Sequence, residues 1–490
     1  MEFNIKSANS QAIGSKERWA SMLLGAFSIF VSIFVYVGTN HSSGYATYFI
    51  IPLLFGILLI AAPSLVLADA SLIGPMVLSY TMIIKYTISP LLSCIAGYKS
   101  TWGIYPSVES LHAAIFLTVY EMLAIYVVFF CCRRFVKKKD FIRSVEKKPL
   151  DNKWMHVALI VVGFAAFFAS PSSFSDCRFL FDATDIEENV ILTASGTGIY
   201  KTLFTFARYS LVILVINHYL AKYQANKASR FAVYAFLLSM LNCLYIQNLS
   251  RIAVLVPILT GLYLCYTFFD SKLTRRVLVQ IALVLIVVFV GSLSFTKFFG
   301  EGRGDTSNST SLVWWADTIN MYFTGIKETA VGIAAANRVN MYFGWLRAPL
   351  FWNDMFSNVS FLSNFVDQSL NSVTLFNFQY FGRNILSSIC PNDVEGLYYF
   401  GPLFSGLWPA LFAYASFKFG YVARRQVYLD RSFVFFYASL WCGYVLMINT
   451  SMIFANVVNN SVLFFVATTL NHWLSGRKKV SKPRAQGEKL

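Results

Sequence analysis

Apolar residues in this chain are gathered into long runs, and polar and charged residues into the short breaks between them. Read against those breaks, the pattern predicts twelve helices, at about 19–39, 47–68, 71–97, 111–132, 155–171, 201–220, 231–247, 252–270, 277–296, 397–419, 432–450 and 452–474. Crossing a hydrocarbon core of about 30 Å takes about 20 apolar residues as helix, and these runs have that length. The predicted fold class is therefore an all-α polytopic membrane protein. The first run, Trp19 to Val37, is soon followed by a second full-length run, so it reads as a retained helix and not as a cleaved leader.

Two longer segments interrupt the run of hairpins, 172–200 and 297–396. They divide the chain into a nine-helix part of the bundle (1–296, with a basic connection at 133–154), a long external loop (297–396), three further helices (397–474) and a basic tail (475–490). A connection of that length without a membrane span is functional or folded in its own right. Its apolar residues recur at helical spacing (Trp314, Trp315, Ile319, Tyr322, Phe323), which predicts short amphipathic helices lying on the membrane face. No internal repeat is evident, which disfavours a transporter built from duplicated halves.

Composition sharpens this picture. Hydrophobic residues make up 57% and charged residues 13% of the 490, against about 25% charged in soluble domains, so a soluble protein is excluded. The net charge of +16 is a matter of topology, not of nucleic acid. With the N-terminus cytoplasmic, six segments on that side hold 28 of the 40 Lys and Arg residues, and the opposite orientation violates the positive-inside bias. Both termini are then expected inside, with the tail against anionic membrane lipid. Eight cysteines lack zinc or redox spacing, so no metal is expected. Cys177 and Cys390, one in each long external segment, are open to pairing if geometry allows.

Twelve basic residues remain on the outer side or within spans, seven of them arginines: Arg178, Arg208, Arg251, Arg303, Arg338, Arg347 and Arg383. Planar, permanently charged guanidinium suits phosphate oxygens, so arginines placed against the inside bias point to a phosphate-bearing ligand. Local salt bridging is the competing reading, because 297–396 also carries eight acids. Arg208 lies within the sixth span and Arg251 opens the eighth, and ionisable residues there are functional candidates. Lys85 and Glu121 lie at similar depth and read first as a structural ion pair. Aromatic residues crowd the long loop; they could stack on sugar faces, or they could form an interfacial belt. For a general base on a sugar hydroxyl the candidates are Asp305, Asp317, Glu328, Asp354 and Asp367, with Asp354, Asp367 and Glu328 carried forward. The outer side has no Asp-x-Asp motif, Gly-rich phosphate loop or Ser/His/Asp set, so no nucleotide cofactor is expected.

Ser250-Arg251 opens a helix after a short external turn, and Gly396-Leu397-Tyr398-Tyr399-Phe400-Gly401 closes the long loop into a glycine-rich helix. With about twelve spans and a long late loop, this layout resembles the O-antigen and capsule repeat-unit polymerases of bacterial inner membranes, the Wzy family, and more distantly the O-antigen ligases. Arg178 with Gly196, and Arg383 with Gly396, echo that family's paired loop motifs at different spacings. The long loop has no histidine, which favours polymerase over ligase. The resemblance implies a GT-C-like, metal-independent glycosyltransferase. Undecaprenyl-pyrophosphate-linked oligosaccharide would serve as donor and acceptor, and a separate protein would regulate chain length. A flippase for the same lipid is the alternative from another class.

Overall fold

The structure is a computed structural model, and it describes residues 15–40, 44–140, 147–150, 152–174, 177–179, 198–247, 251–269, 271–299, 311–343, 347–367, 370–382 and 388–480. Helices dominate it. In chain order they are α1 (Ser15–Gly38), α2 (Ile50–Ala61), α3 (Ile73–Ile83), α4 (Ser89–Ile95), α5 (Val108–Asp140), α6 (Trp154–Ala169), α7 (Gly198–Asn226), α8 (Arg230–Ser239), α9 (Arg251–Phe268) and α10 (Lys272–Phe299). There follow α11 (Leu312–Tyr322), α12 (Ile326–Phe343), α13 (Ala348–Ser357), α14 (Ser372–Phe381), α15 (Asn392–Phe400), α16 (Pro402–Ser405), α17 (Leu407–Arg425), α18 (Leu429–Gly443), α19 (Thr450–Asn456) and α20 (Leu463–Val480). Among the described residues seven helical segments are long and apolar enough to cross a membrane: Lys16–Gly38, Ile73–Ile95, Val108–Arg133, Gly198–Asn226, Arg251–Phe268, Leu273–Leu293 and Thr450–Trp473. Within the Leu273–Leu293 window of α10 only 17% of residues are buried. An apolar surface left that open has lipid as its natural environment.

Four features depart from the sequence reading. First, the predicted helix at 71–97 is interrupted by a π-turn at Ile84–Ile88. Pro90 explains it, because proline removes an amide donor and crowds the carbonyl four residues earlier, and a widened turn relieves that clash. Second, a π-turn at Val457–Val462 joins α19 to α20. Third, the predicted 397–419 helix is broken, with Gly401 in a positive-φ conformation (φ 79°) followed by Pro402 at the start of α16. Fourth, two short strands, β1 (Cys177–Phe179) and β2 (Tyr245–Gln247), form an antiparallel ladder that pairs Arg178 with Ile246. Cys177 and Cys390 are both free thiols.

Close packing sets the bundle's geometry where α3 meets α18. A Cβ on Gly443 would strike the Gly74 carbonyl, and one on Gly74 would strike Ser439, so this crossing admits only glycine at both positions. At the other end of α18, in its first turn, the buried Asp430 carboxylate lies 3.0 Å from His472 of α20.

The segment expected to lie on the membrane face packs closely against the bundle. Helices α12 to α15 share a small core of Val331, Ala335, Leu350, Leu375, Phe376 and Tyr398, which also takes in Leu117 of α5. Asn320 of α11 is buried and bonds the hydroxyls of Ser89 (2.7 Å) and Ser93 (3.0 Å). Lys85 donates to Thr324 at 3.1 Å and is paired with Glu121 at 2.7 Å, both ends sealed from water. Tyr86 adds a 2.7 Å bond to Glu121, and the Asp393 carboxylate of α15 feels both charges. Only part of the layer keeps the expected amphipathic face, with Trp352 of α13 exposed.

Among the described residues Lys85 is thus the one ammonium that faces both Glu121 and Asp393, so the pair is not symmetric. Lys85→Met is expected to cost about 3–5 kcal/mol, the scale for breaking a buried ion pair. Glu121→Gln should cost less, because Asp393 remains to face the ammonium. Thermal unfolding of the purified protein in detergent measures both.

Candidate functional site

A cavity of about 300 Å³ opens between α7, the turn after α8, α9, α18 and the α19–α20 junction. Its polar wall is built from Arg208 and Tyr209 of α7, Asn242 and Tyr245 of the turn, Tyr437 and Trp441 of α18, and Asn456 and Asn460 beside the π-turn. The π-turn helps to gather these amides: Asn460 bonds Asn456 at 3.0 Å, while Asn459 between them bonds the Asn358 carbonyl (3.0 Å) and the Ser360 amide (3.2 Å) of the loop layer.

Arg208 is held by neutral groups. Its Nε donates to Asn242 Oδ1 (2.7 Å) and its Nη2 to the carbonyls of Asn242 (2.5 Å) and Tyr245 (2.9 Å), with the guanidinium 5.9 Å from the Tyr245 ring centroid. Carbonyls at a helix end lack intrahelical donors, so the arginine also caps the turn that ends α8. Its Nη1 takes no part in these bonds, and among the described residues no carboxylate pairs with it. A cation facing a cavity without a counter-ion is a ready site for an anion.

The ladder and the start of α9 bring two more of the sequence-derived arginines to this place. Arg178, of which only the backbone is described, sits in β1 opposite Ile246. Arg251 opens α9 next to the cavity-lining Ile252 and Ala253, and its guanidinium lies 4.8 Å from the Tyr322 ring centroid of α11. Arg347 does something else: it precedes α13 and donates to the Leu397 carbonyl near the end of α15 (2.5 Å). For Arg338 only the backbone within α12 is described, and Arg303, Arg383 and Asp305 lie outside the described residues.

The three carboxylates carried forward from the sequence are not in this cavity. Asp354 is buried between α13, α14 and α15, accepting from the Ser372 amide (3.0 Å) and the Tyr399 hydroxyl (2.6 Å). Glu328 is buried in α12 with Tyr380 at 3.4 Å. Asp367 is exposed, its backbone held by Asn353. Sequence reasoning missed Tyr209, Tyr437, Asn242, Asn456 and Asn460; the visible signal was Asn456-Val457-Val458-Asn459-Asn460, a polar cluster within an apolar run. Comparison of the chain with protein families, curated proteins and solved structures gives no match.

The loop layer and its seat carry the opposite charge balance. Six buried carboxylates (Glu121, Asp317, Glu328, Asp354, Asp393, Glu395) face two buried lysines (Lys85, Lys327) among the described residues. Loss of water pushes the loop-layer acids up, Asp354 to about 6, Glu328 to about 7, Asp393 to about 7 and Glu395 to about 8. For Glu395 the neighbouring Asp354 adds to the rise, and bonds from Thr450 and Ser372 hold it back.

Acids with raised pKa bind more protons folded than unfolded, so their contribution is complete below the unfolded carboxyl range of about 4 and is lost as pH climbs through 6 to 8. Melting temperature in detergent is therefore expected to fall steadily between about pH 5 and pH 8.5. Glu395→Gln should flatten that fall.

Proposed function

We propose that the protein is a glycosyltransferase of the repeat-unit polymerase type. It moves a glycan from an undecaprenyl-pyrophosphate carrier to a sugar hydroxyl of a second lipid-linked unit, at the outer face of a bacterial inner membrane. In this reading all twelve predicted spans cross the bilayer in a GT-C-like arrangement, both termini are cytoplasmic, and the cavity lies towards the outer leaflet. The observation that carries it is Arg208, a guanidinium with no carboxylate partner among the described residues, facing a cavity lined by amides, phenols and an indole.

The chemistry follows from that inventory. When the bond between the sugar's anomeric carbon and the pyrophosphate oxygen breaks, negative charge collects on the leaving group. A fixed guanidinium in a poorly hydrated site stabilises that charge with little reorganisation. Asn242, Asn456 and Asn460 offer donors and acceptors for sugar hydroxyls, and aromatic rings such as Trp441 offer faces for the sugar ring. Arg251, which opens α9 next to the cavity-lining Ile252, and Arg178, whose backbone lies in β1, are the candidates for the second phosphate. Apolar flanks such as α10 suit a prenyl chain in lipid.

Purified protein incubated with lipid-pyrophosphate-linked repeat units, without nucleotide, is expected to give a regular ladder of products. Arg208→Ala should cut elongation by about 10²–10³-fold, the scale for removing one transition-state donor. Arg208→Lys, which keeps charge but loses the fork, should fall between. An undiminished ladder from a folded Arg208→Ala protein would remove Arg208 from the site. No elongation by the wild type would overturn the polymerase. Passage of single units across a vesicle bilayer would then identify a flippase, and transfer of finished glycan to a lipid A acceptor would identify a ligase.

A further inference from the structure

A hydroxyl that attacks a sugar must lose its proton, yet among the described residues no Asp, Glu, His, Lys or Cys lines the cavity that holds Arg208. The side chains there that can both give and take a proton are Thr205, Tyr209, Tyr245, Thr260 and Tyr437. Two are committed to their own helices: Thr205 donates to the Lys201 carbonyl at 2.8 Å and Thr260 to the Val256 carbonyl at 2.7 Å. Tyr245 lies in β2, with its ring against Arg208.

Tyr209 and Tyr437 are different, because they are joined to each other. The Tyr209 hydroxyl donates to the Tyr437 oxygen at 2.6 Å, and the Asn460 amide approaches the same oxygen at 3.5 Å. With donors on its oxygen, Tyr437 has its own proton free to point onward. Tyr209 directly follows Arg208 on α7, and its ring is pinned by Phe433 (centroids 4.9 Å apart) as well as by Tyr437 (5.3 Å).

We propose that Tyr209 and Tyr437 form a two-phenol proton relay for glycosyl transfer, an inference that rests on the polymerase reading. The acceptor oxygen forms its bond to the anomeric carbon as the carbon–oxygen bond to pyrophosphate breaks, the electron pair leaving with the pyrophosphate. The acceptor's proton passes to Tyr209 Oη, the Tyr209 proton to Tyr437 Oη, and the Tyr437 proton to the departing pyrophosphate oxygen. Both phenols end as they began, and no further reactant is needed. Because the proton enters at one ring and leaves at another, the attacking and leaving oxygens need not touch. Neither phenol need be ionised at rest, which suits a site where an unpaired charge is expensive.

The test compares wild type, Tyr209→Phe, Tyr437→Phe and the double variant for ladder formation in H₂O and D₂O. Binding of undecaprenyl pyrophosphate is followed in parallel by tryptophan fluorescence. Each single variant is expected to elongate about 10²–10⁴-fold more slowly, the scale of acid–base catalysis, while binding the pyrophosphate lipid as the wild type does. The double variant should be no slower than the slower single one, since the two act as a unit. The wild type's solvent isotope effect should vanish in all three. Full elongation by either single variant overturns the relay and leaves the polymerase standing. So does loss of lipid binding, or multiplying losses with the isotope effect kept, either of which marks the pair as structural. No elongation by the wild type overturns the polymerase and the relay with it.

Discussion

Polar groups taken out of water must find each other, and that requirement seats the long loop in the bundle. Lys85, at the π-turn that Pro90 provokes, reaches Glu121 on α5 and Thr324 between α11 and α12. Asn320 fills the next turn with two serine hydroxyls, and Asn392 at the start of α15 donates to the Val445 and Ile448 carbonyls at 2.6 Å each. Each contact satisfies a group that would otherwise be stranded, so the layer is held by the cost of separation as much as by apolar packing.

The same constraint sorts charge into two territories. Carboxylates dominate the loop layer and its seat, where hydroxyls, backbone amides and two lysines hold them, and burial raises the pKa of Glu328, Asp354, Asp393 and Glu395. The Arg208 guanidinium stands in the cavity between α7, α9 and α18, where among the described residues no acid lines the wall. A negatively charged ligand entering that cavity would meet donors, while the acids that would repel it are engaged in structure. The separation explains why the loop carboxylates hold helices together and why the chemistry proposed here falls to phenols.

Much of the architecture was legible in the sequence. Run length located α1, α5, α7 and α9 to within a few residues at most of their ends, because a membrane-length helix leaves an unbroken signal. Ionisable residues inside such runs drew attention to Arg208, Arg251, Lys85 and Glu121 for a sound reason: each is costly there without a purpose. Partners were not legible. Tyr209 and Tyr437 are 228 positions apart, and helical periodicity does not say which face of α7 meets which face of α18. Asp354 stands out in the sequence as a candidate general base, a carboxylate among aromatics, and the sequence does not show the Ser372 amide and Tyr399 that folding gives it as partners. The β1–β2 ladder was hidden by its brevity, three residues a side.

The π-turn at Val457–Val462 is in effect one extra residue spliced into a continuous helix. A residue added or removed there rotates everything beyond it by about 100°. Asn456 and Asn460 at the near end face the cavity, and His472 at the far end meets Asp430. The two ends of this rod are therefore phased like a key with teeth at both ends. Across relatives of this chain, length in this stretch should be conserved more strictly than residue identity, since a one-residue deletion would misalign one end however well it suited the other.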